Sequence, residues 1–225
     1  MRRSFESAAL VADNATVPPA RRAVWTENRE RLIAAARVMF AERGYRGTTT
    51  RDLALAAGVV EPTLFRHFPS KAELFDAAVV APLHDFLHAF VERQRERPIG
   101  TRDVYEATRE FYAVLYAELT RDARQLIAVV AALAFEESDT ELVTTLRPKL
   151  RALLSELDEH FAREFGARGF AIDPGLALRM MFGAVIGLAV HGDWLFAEGA
   201  PPDAERLIET MVLLTVSGLT GGGQP

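Results

Sequence analysis

The sequence predicts an all-α fold in two domains, and three observations lead there. Apolar residues recur at helix spacing through most of the chain, no alternating strand pattern or hairpin turn competes, and charge is divided unevenly along it. The 225 residues carry a net charge of −5, yet residues 1–80 hold 12 Lys and Arg against 9 Asp and Glu, while residues 81–225 hold 14 against 22. A weakly basic head and an acidic body point to different partners for the two parts. With 49% hydrophobic residues the chain has material for a sizeable core. Its lack of cysteine excludes a disulfide framework, a thiolate metal site and a cysteine nucleophile, and fits the expected cytoplasmic setting. Ser4 to Ala15, with Glu6 and Asp13, is too polar for a signal-peptide core. The most apolar run, Met180 to Val190, is shorter than the roughly 20 residues needed to span hydrocarbon, so a buried helix and no membrane partner are expected.

Residues 1–25 lack apolar periodicity and contain Pro18-Pro19 and Arg21-Arg22, which reads as a mobile arm. Leu32, Ile33, Ala36, Met39 and Phe40 make the first helical stripe, with Thr26 as its expected N-cap and Gly44 as its stop. A short helix follows Thr49, whose hydroxyl can cap while Asp52 sits near the positive helix end, and Gly58 ends it. The next, Glu61 to Phe68, has Pro62 in its first turn and stops at Pro69. Ser70 and Glu73 form an S-x-x-E capping box opening a fourth helix toward Arg97, with a bend expected at Pro82.

Four or five more helices are expected beyond it. Val104, Thr108, Phe111 and Leu115 form one stripe, Leu126, Val129, Val130 and Leu133 another, and Leu150, Leu153, Leu154, Leu157 and Phe161 a third, closed by Gly166. Asp173-Pro174 pairs an N-cap with proline at the first helical position and opens a long apolar helix to about Phe196. Pro201-Pro202-Asp203 starts the last, before a disordered tail at residues 221–225.

The informative stretch is Thr49 to Phe68. Two short helices meet at Gly58, Ala54 leaves room for a close crossing, and Leu53, Ala57, Val59 and Leu64 form the shared seam, the pattern of a helix-turn-helix. Thr63, Arg66 and His67 are expected on the outward face, where they suit phosphates and base edges, with Arg46, Arg51 and Lys71 flanking. An ordinary helical corner with a solvated face would share the Ala-x-x-x-Gly spacing, but not the remaining cues.

The runs Ala41-Glu42-Arg43-Gly44-Tyr45, Thr48 to Ala54, Ala57-Gly58-Val59 and Thr63 to Phe75 resemble, in order and spacing, the DNA-binding domain of the TetR family of bacterial transcriptional regulators over about residues 26–86. The resemblance implies a homodimer, usually a repressor, with a three-helix DNA-binding domain and a ligand-binding and dimerisation domain at residues 87–220. It implies DNA contacts at Thr49, Thr50, Arg51, Pro62, Thr63, Phe65, His67 and Lys71. Val60 stands where the family usually has a capping Ser or Thr, and Phe65 where it usually has Tyr. Glu61 falls at a groove-facing position, where a carboxylate either accepts from a cytosine amino group or repels phosphate.

In the acidic body, Gly183 and Gly187 leave one helix face almost without side chains, which suits either a close subunit interface or close packing inside one subunit. With Leu207, Met211 and Leu214 of the last helix they form the expected dimer surface, in line with the resemblance. Phe86, Phe111, Tyr112, Tyr116, Phe135, Met180, Phe182, His191 and Trp194 are candidate walls of a pocket for a small, mostly apolar molecule. His84 and His88 share a helical face without an evident third metal ligand, and Glu136-Glu137 point about 100° apart. No catalytic residue, metal or cofactor is expected. The expected function is a regulator released from a palindromic DNA operator by a small-molecule effector. The competing one is an all-α binding protein or enzyme that keeps the head as scaffold.

Overall fold

The computed structural model describes residues 19–135, 140–196 and 202–221, and every regular element among them is helical. The chain divides into two compact units, Met1–Ala78 and Val79–Pro225. The first contains α1 (Pro19–Arg43), α2 (Thr50–Ala56), α3 (Glu61–His67) and α4 (Lys71–Phe75). The second contains α5 (Ala81–Arg95), α6 (Val104–Arg121), α7 (Ala123–Phe135), α8 (Thr140–Arg168), α9 (Pro174–Leu195) and α10 (Ala204–Gly221).

In the first unit α1 packs on α2 and α4, and α2 on α3. Its core closes around Phe40, Tyr45 and Phe75, with the Phe75 ring edge-on at 4.9 Å from Phe40 and 5.2 Å from Tyr45. Buried Thr48 Oγ1 donates to the Gly44 carbonyl at 2.8 Å and so fixes the turn after α1. The helix starts are chemical. Thr49 Oγ1 accepts from Asp52 N at 3.1 Å and Ser70 Oγ from Glu73 N at 3.1 Å. Between α4 and α5 lies a π-helical stretch, Asp76–Val80. Pro82 supplies the reason, because it offers no N–H and its ring would crowd the Ala78 carbonyl of a regular helix.

In the second unit α6 is central, packed by α9 and α10, with α8 bridging α5 and α9. Phe111, Tyr112 and Leu115 of α6 meet Leu157, Phe161 and Phe165 of α8, Leu178, Met181 and Val185 of α9, and Ile208, Met211 and Val212 of α10 in one core. At about 1.5–3 kcal/mol for each large side chain fully buried, this cluster is the principal stabilising feature of the unit. Asp173 Oδ1 caps α9 by accepting from Leu176 N at 2.8 Å. Asp103 and Asp203 cap α6 and α10 in the same way.

Four expectations require correction. The first helix begins at Pro19, not after Thr26, so residues 19–25 of the supposed arm are helical. Thr26 Oγ1 donates back to the Arg22 carbonyl at 3.1 Å, mid-helix, instead of capping. The helix expected to close at Gly166 runs on to Arg168 and ends at Gly169, which adopts φ +70°. The run around Met180 is not a buried helix, because Leu178, Met181 and Val185 face the core while Leu176, Met180 and Trp194 are exposed. By length and composition two helical stretches, Lys71–Arg95 and Pro174–Gly192, are apolar enough to cross a membrane, but in α9 that apolarity serves a core face and a second, open face. Residues 1–18, Glu136-Glu137 and 222–225 lie outside the described residues; Gly221 is the last residue of α10.

Candidate functional site

In the head, Leu53, Ala54, Ala57 and Leu64 are all buried, forming the seam between α2 and α3. Gly58 turns the chain between them at φ +66°, a conformation that costs L-residues about 1–2 kcal/mol. Its carbonyl accepts from Arg31 Nη2 at 3.4 Å, and a Cβ there would stand 2.2 Å from the same nitrogen. Gly58→Ala is therefore expected to lower unfolding free energy by about 1–2 kcal/mol, read as a shifted urea midpoint.

The α3 helix presents Pro62, Phe65 and Arg66 to solvent, with Thr63 half-buried. Arg66 Nη2 donates to Thr63 Oγ1 at 3.1 Å and Arg66 Nε to the Pro62 carbonyl at 3.4 Å, so the guanidinium is braced along the outer face. Glu61 is turned back, for Thr50 Oγ1 donates to its Oε1 at 2.5 Å. That bond ties the start of α3 to the start of α2. Val60 carries no capping bond and is 65% exposed. Arg46, Thr49 and Arg51 are exposed near these helix ends.

Two residues have other surroundings than the sequence suggests. Lys71 Nζ donates to the carbonyls of Tyr45 at 2.9 Å and Thr48 at 3.2 Å, and stands 4.0 Å over the Tyr45 ring. Its charge thus closes the α1–α2 turn. His67, expected to face outward, is covered by Trp25 of α1, with ring centroids 3.8 Å apart. Both His67 ring nitrogens are buried, and among the described residues neither has a hydrogen-bond partner. Burial first, then Arg29 and Arg66, push its pKa below the ordinary 6.5.

Burial likewise lowers the pKa of His160 in the body. Between those lowered values and 6.5 the unfolded chain binds more protons than the folded one. Stability from these two groups is therefore full above 6.5 and falls as pH drops through the window. Exposed His88, raised chiefly by the hydrogen bond with Glu156, works in the opposite sense. The urea midpoint is expected to fall between pH 7 and pH 5, and His67→Phe to flatten that fall.

Two spaces in the body are lined by described residues. One is a partly open recess of about 80 Å³ with Phe90, Phe111, Phe161, Phe165 and His160 among its walls and Arg97, Arg102 and Arg168 beside them. The other is an open groove of about 330 Å³ between α9 and α10, floored by Tyr112 and edged by Met180 and Leu214. The Tyr112 hydroxyl lies 2.7 Å from Thr215 Oγ1 across it.

Residues 32–78 match the sequence model of the family described as bacterial regulatory proteins, tetR family. The family match lies within the helix-turn-helix head. It is 32% identical over 99 residues to the HTH-type transcriptional repressor KstR2 of Mycobacterium tuberculosis, a match covering 44% of this chain and 48% of that protein. The chain thus spans about half the length of the curated relatives of this name. Among solved structures, the regulator FadR from Bacillus subtilis in complex with stearoyl-CoA has a TM-score of 0.61 at 23% identity, covering 84% of this chain and 98% of that one. The fatty acid degradation regulator FadR from Bacillus halodurans has a TM-score of 0.64 at 23% identity, with 85% and 95% covered. These two share the fold.

In the helical body the expected pocket walls scatter. Phe111 lines the cavity, and Tyr112 and Met180 line the groove. Phe86, Tyr116 and Phe182 pack against the core cluster. His191 and Trp194 stand 5.7 Å apart on the exposed end of α9, and the Phe135 side chain lies outside the described residues. Helix spacing identified apolar faces, and missed His160 and the three arginines because they converge from the ends of α5 and α8 and the loop between α5 and α6. His84 and His88 stack at 6.2 Å, and among the described residues no group of three His, Cys, Asp or Glu is placed to hold a metal.

The expected dimer residues also divide. Gly183 and Gly187 have no atom of the chain's own neighbouring segments within 4 Å of a built Cβ, so close packing inside the subunit does not explain them. Leu214 is 72% exposed, as is Met180 at 76%. Leu207 is half-buried. Met211, at 8% exposure, packs mostly into its own core and also lines the groove.

Proposed function

We propose that this protein is a DNA-binding transcriptional repressor that acts as a homodimer and leaves its operator when a small molecule binds the helical body. The observation that carries the reading is the head: two short helices meeting at a left-handed glycine, the second presenting Pro62, Phe65 and braced Arg66. In such a motif the second helix enters the major groove and its partner crosses the backbone. KstR2, which matches over the same part of the chain, is a named repressor.

A second copy fits the open face of α9 and α10. Leu176, Met180, Trp194 and Leu214 are exposed there beside the two bare glycines, an apolar surface at which backbones can approach closely. Two heads would then read half-sites one helical turn apart, about 34–36 Å. Effector and DNA oppose each other's binding by linkage if each favours a different state of the dimer.

The test is selection of bound fragments from genomic DNA with the full-length protein, followed by titration of the recovered fragments at 50 and 200 mM salt. A shared palindrome and affinity falling steeply with salt support the reading. Failure to enrich any fragment favours a binding protein or enzyme that keeps the head as scaffold.

A further inference from the structure

The aromatic recess of the helical body is unlike the surrounding core in one respect, the charge at its edge. Its inner walls are Phe90, Phe111, Phe161 and Phe165. At the edge stand three guanidiniums, Arg97, Arg102 and Arg168, and they share two carboxylates. Glu110 Oε2 accepts from Arg97 at 2.7 Å and from Arg102 as well. Glu164 Oε2 accepts from Arg168 Nε and Nη2, each at 3.2 Å, and Glu164 also accepts from Gly100 N at 3.2 Å. Arg168 Nη1 donates to the Arg102 carbonyl at 2.8 Å. Only about a tenth of the Arg168 side chain is open to solvent, at 13%. Among the described residues one cationic charge is therefore left over beside an aromatic recess, with His160 in the wall.

We infer that this cavity takes a small organic carboxylate, its apolar part among the four phenylalanines and its acid group at Arg97 and Arg102. The inference rests on the reading of the helical body as the effector domain. Three physical points lead to it. A carboxylate gives the edge one acid per guanidinium and forms charge-assisted hydrogen bonds there. A neutral ligand leaves the surplus charge with a poorer solvent shell and gains nothing for it. Size sets the other limit. About 80 Å³ is less than the roughly 150 Å³ of an engineered cavity that takes benzene, so the part of a ligand held inside the recess is a few methylenes or a partly inserted ring.

The experiment uses the full-length protein and two matched series, the unbranched acids from propanoate to octanoate with benzoate, and the primary amide of each. Isothermal titration at pH 7 is expected to show acids binding at least tenfold tighter than their amides, with the optimum below octanoate. Arg102→Gln, which leaves the backbone carbonyl used by Arg168 in place, is expected to reduce acid binding at least tenfold and leave amide binding within twofold. Arg97→Gln gives an independent check of the same edge. Equal binding of acids and amides overturns the inference, as do the absence of binding by either series and an Arg102→Gln effect that is the same on both. Whether a bound acid releases DNA is measured separately on a selected fragment. An acid that binds without releasing DNA leaves the site assignment standing and removes release by such an acid from the proposed function, whereas DNA release by an uncharged compound alone overturns the site assignment and leaves ligand-driven release standing.

Discussion

Gly187→Arg is expected to convert the protein to a monomer at micromolar concentration and to weaken operator binding by a factor on the order of 100 or more. The argument begins with space. A Cβ built at Gly187 has none of the chain's other segments within 4 Å, so the folded subunit accommodates a longer side chain and its unfolding midpoint stays close to that of the parent. A second subunit meeting α9 at that glycine would instead face a charged side chain in an apolar seam containing Met180 and Leu214. The loss at DNA follows from geometry. Two heads joined in one dimer make the second half-site an intramolecular contact, and separated heads lose that effective concentration. Sedimentation equilibrium reads the first effect and titration of a selected fragment the second. A dimeric Gly187→Arg variant with parental affinity would place the subunit contact elsewhere.

Arg66→Ala is expected to cost about 1–3 kcal/mol of operator affinity, roughly 5- to 150-fold. The side chain is exposed on α3 and held in place by Thr63 Oγ1 and the Pro62 carbonyl, so little order has to be imposed when it meets DNA. Thr63→Val, which removes the acceptor and keeps the shape, is expected to give a smaller loss. Comparing fragments with single base changes separates two roles. If Arg66 reads a base, the alanine variant loses discrimination at one position of each half-site. If it meets phosphate, binding weakens evenly and the slope of log affinity against log salt falls by about one for each phosphate left without its arginine. Lys71→Ala differs from both. Because Nζ holds the Tyr45 and Thr48 carbonyls, that substitution is a change in the turn before it is a change at the DNA.

Most of the head was legible in the sequence because its signals are local. Ser70 and Glu73, three residues apart, state where α4 begins, and Gly58 states where α2 must turn. Thr26 shows the limit of such signals. A threonine can cap a helix or bond back to the fourth preceding carbonyl, and residues 19–25 being helical decides for the second. Lys71 and His67 could not be read correctly from the motif alone, since their partners, Tyr45 with Thr48 and Trp25, lie more than twenty residues away. In the body, periodicity gave the apolar faces of α6, α8 and α9 but not which helices cover them. Met211 and Leu214, three residues apart, end on opposite sides of that question, one in the core and one in solvent. The arginine-edged cavity was invisible for a related reason: its charged members belong to no stripe.

The stack of Trp25 on His67 also gives the protein a built-in optical reporter. The sequence has two tryptophans, Trp25 in the head and Trp194 on the exposed face of α9. An imidazole 3.8 Å from an indole makes Trp25 emission sensitive to the protonation and displacement of His67. Emission from Trp194 would respond instead to the covering of α9. Variants retaining one indole each would let arrival at DNA and meeting of subunits be timed separately in the same stopped-flow mixing, without an added label.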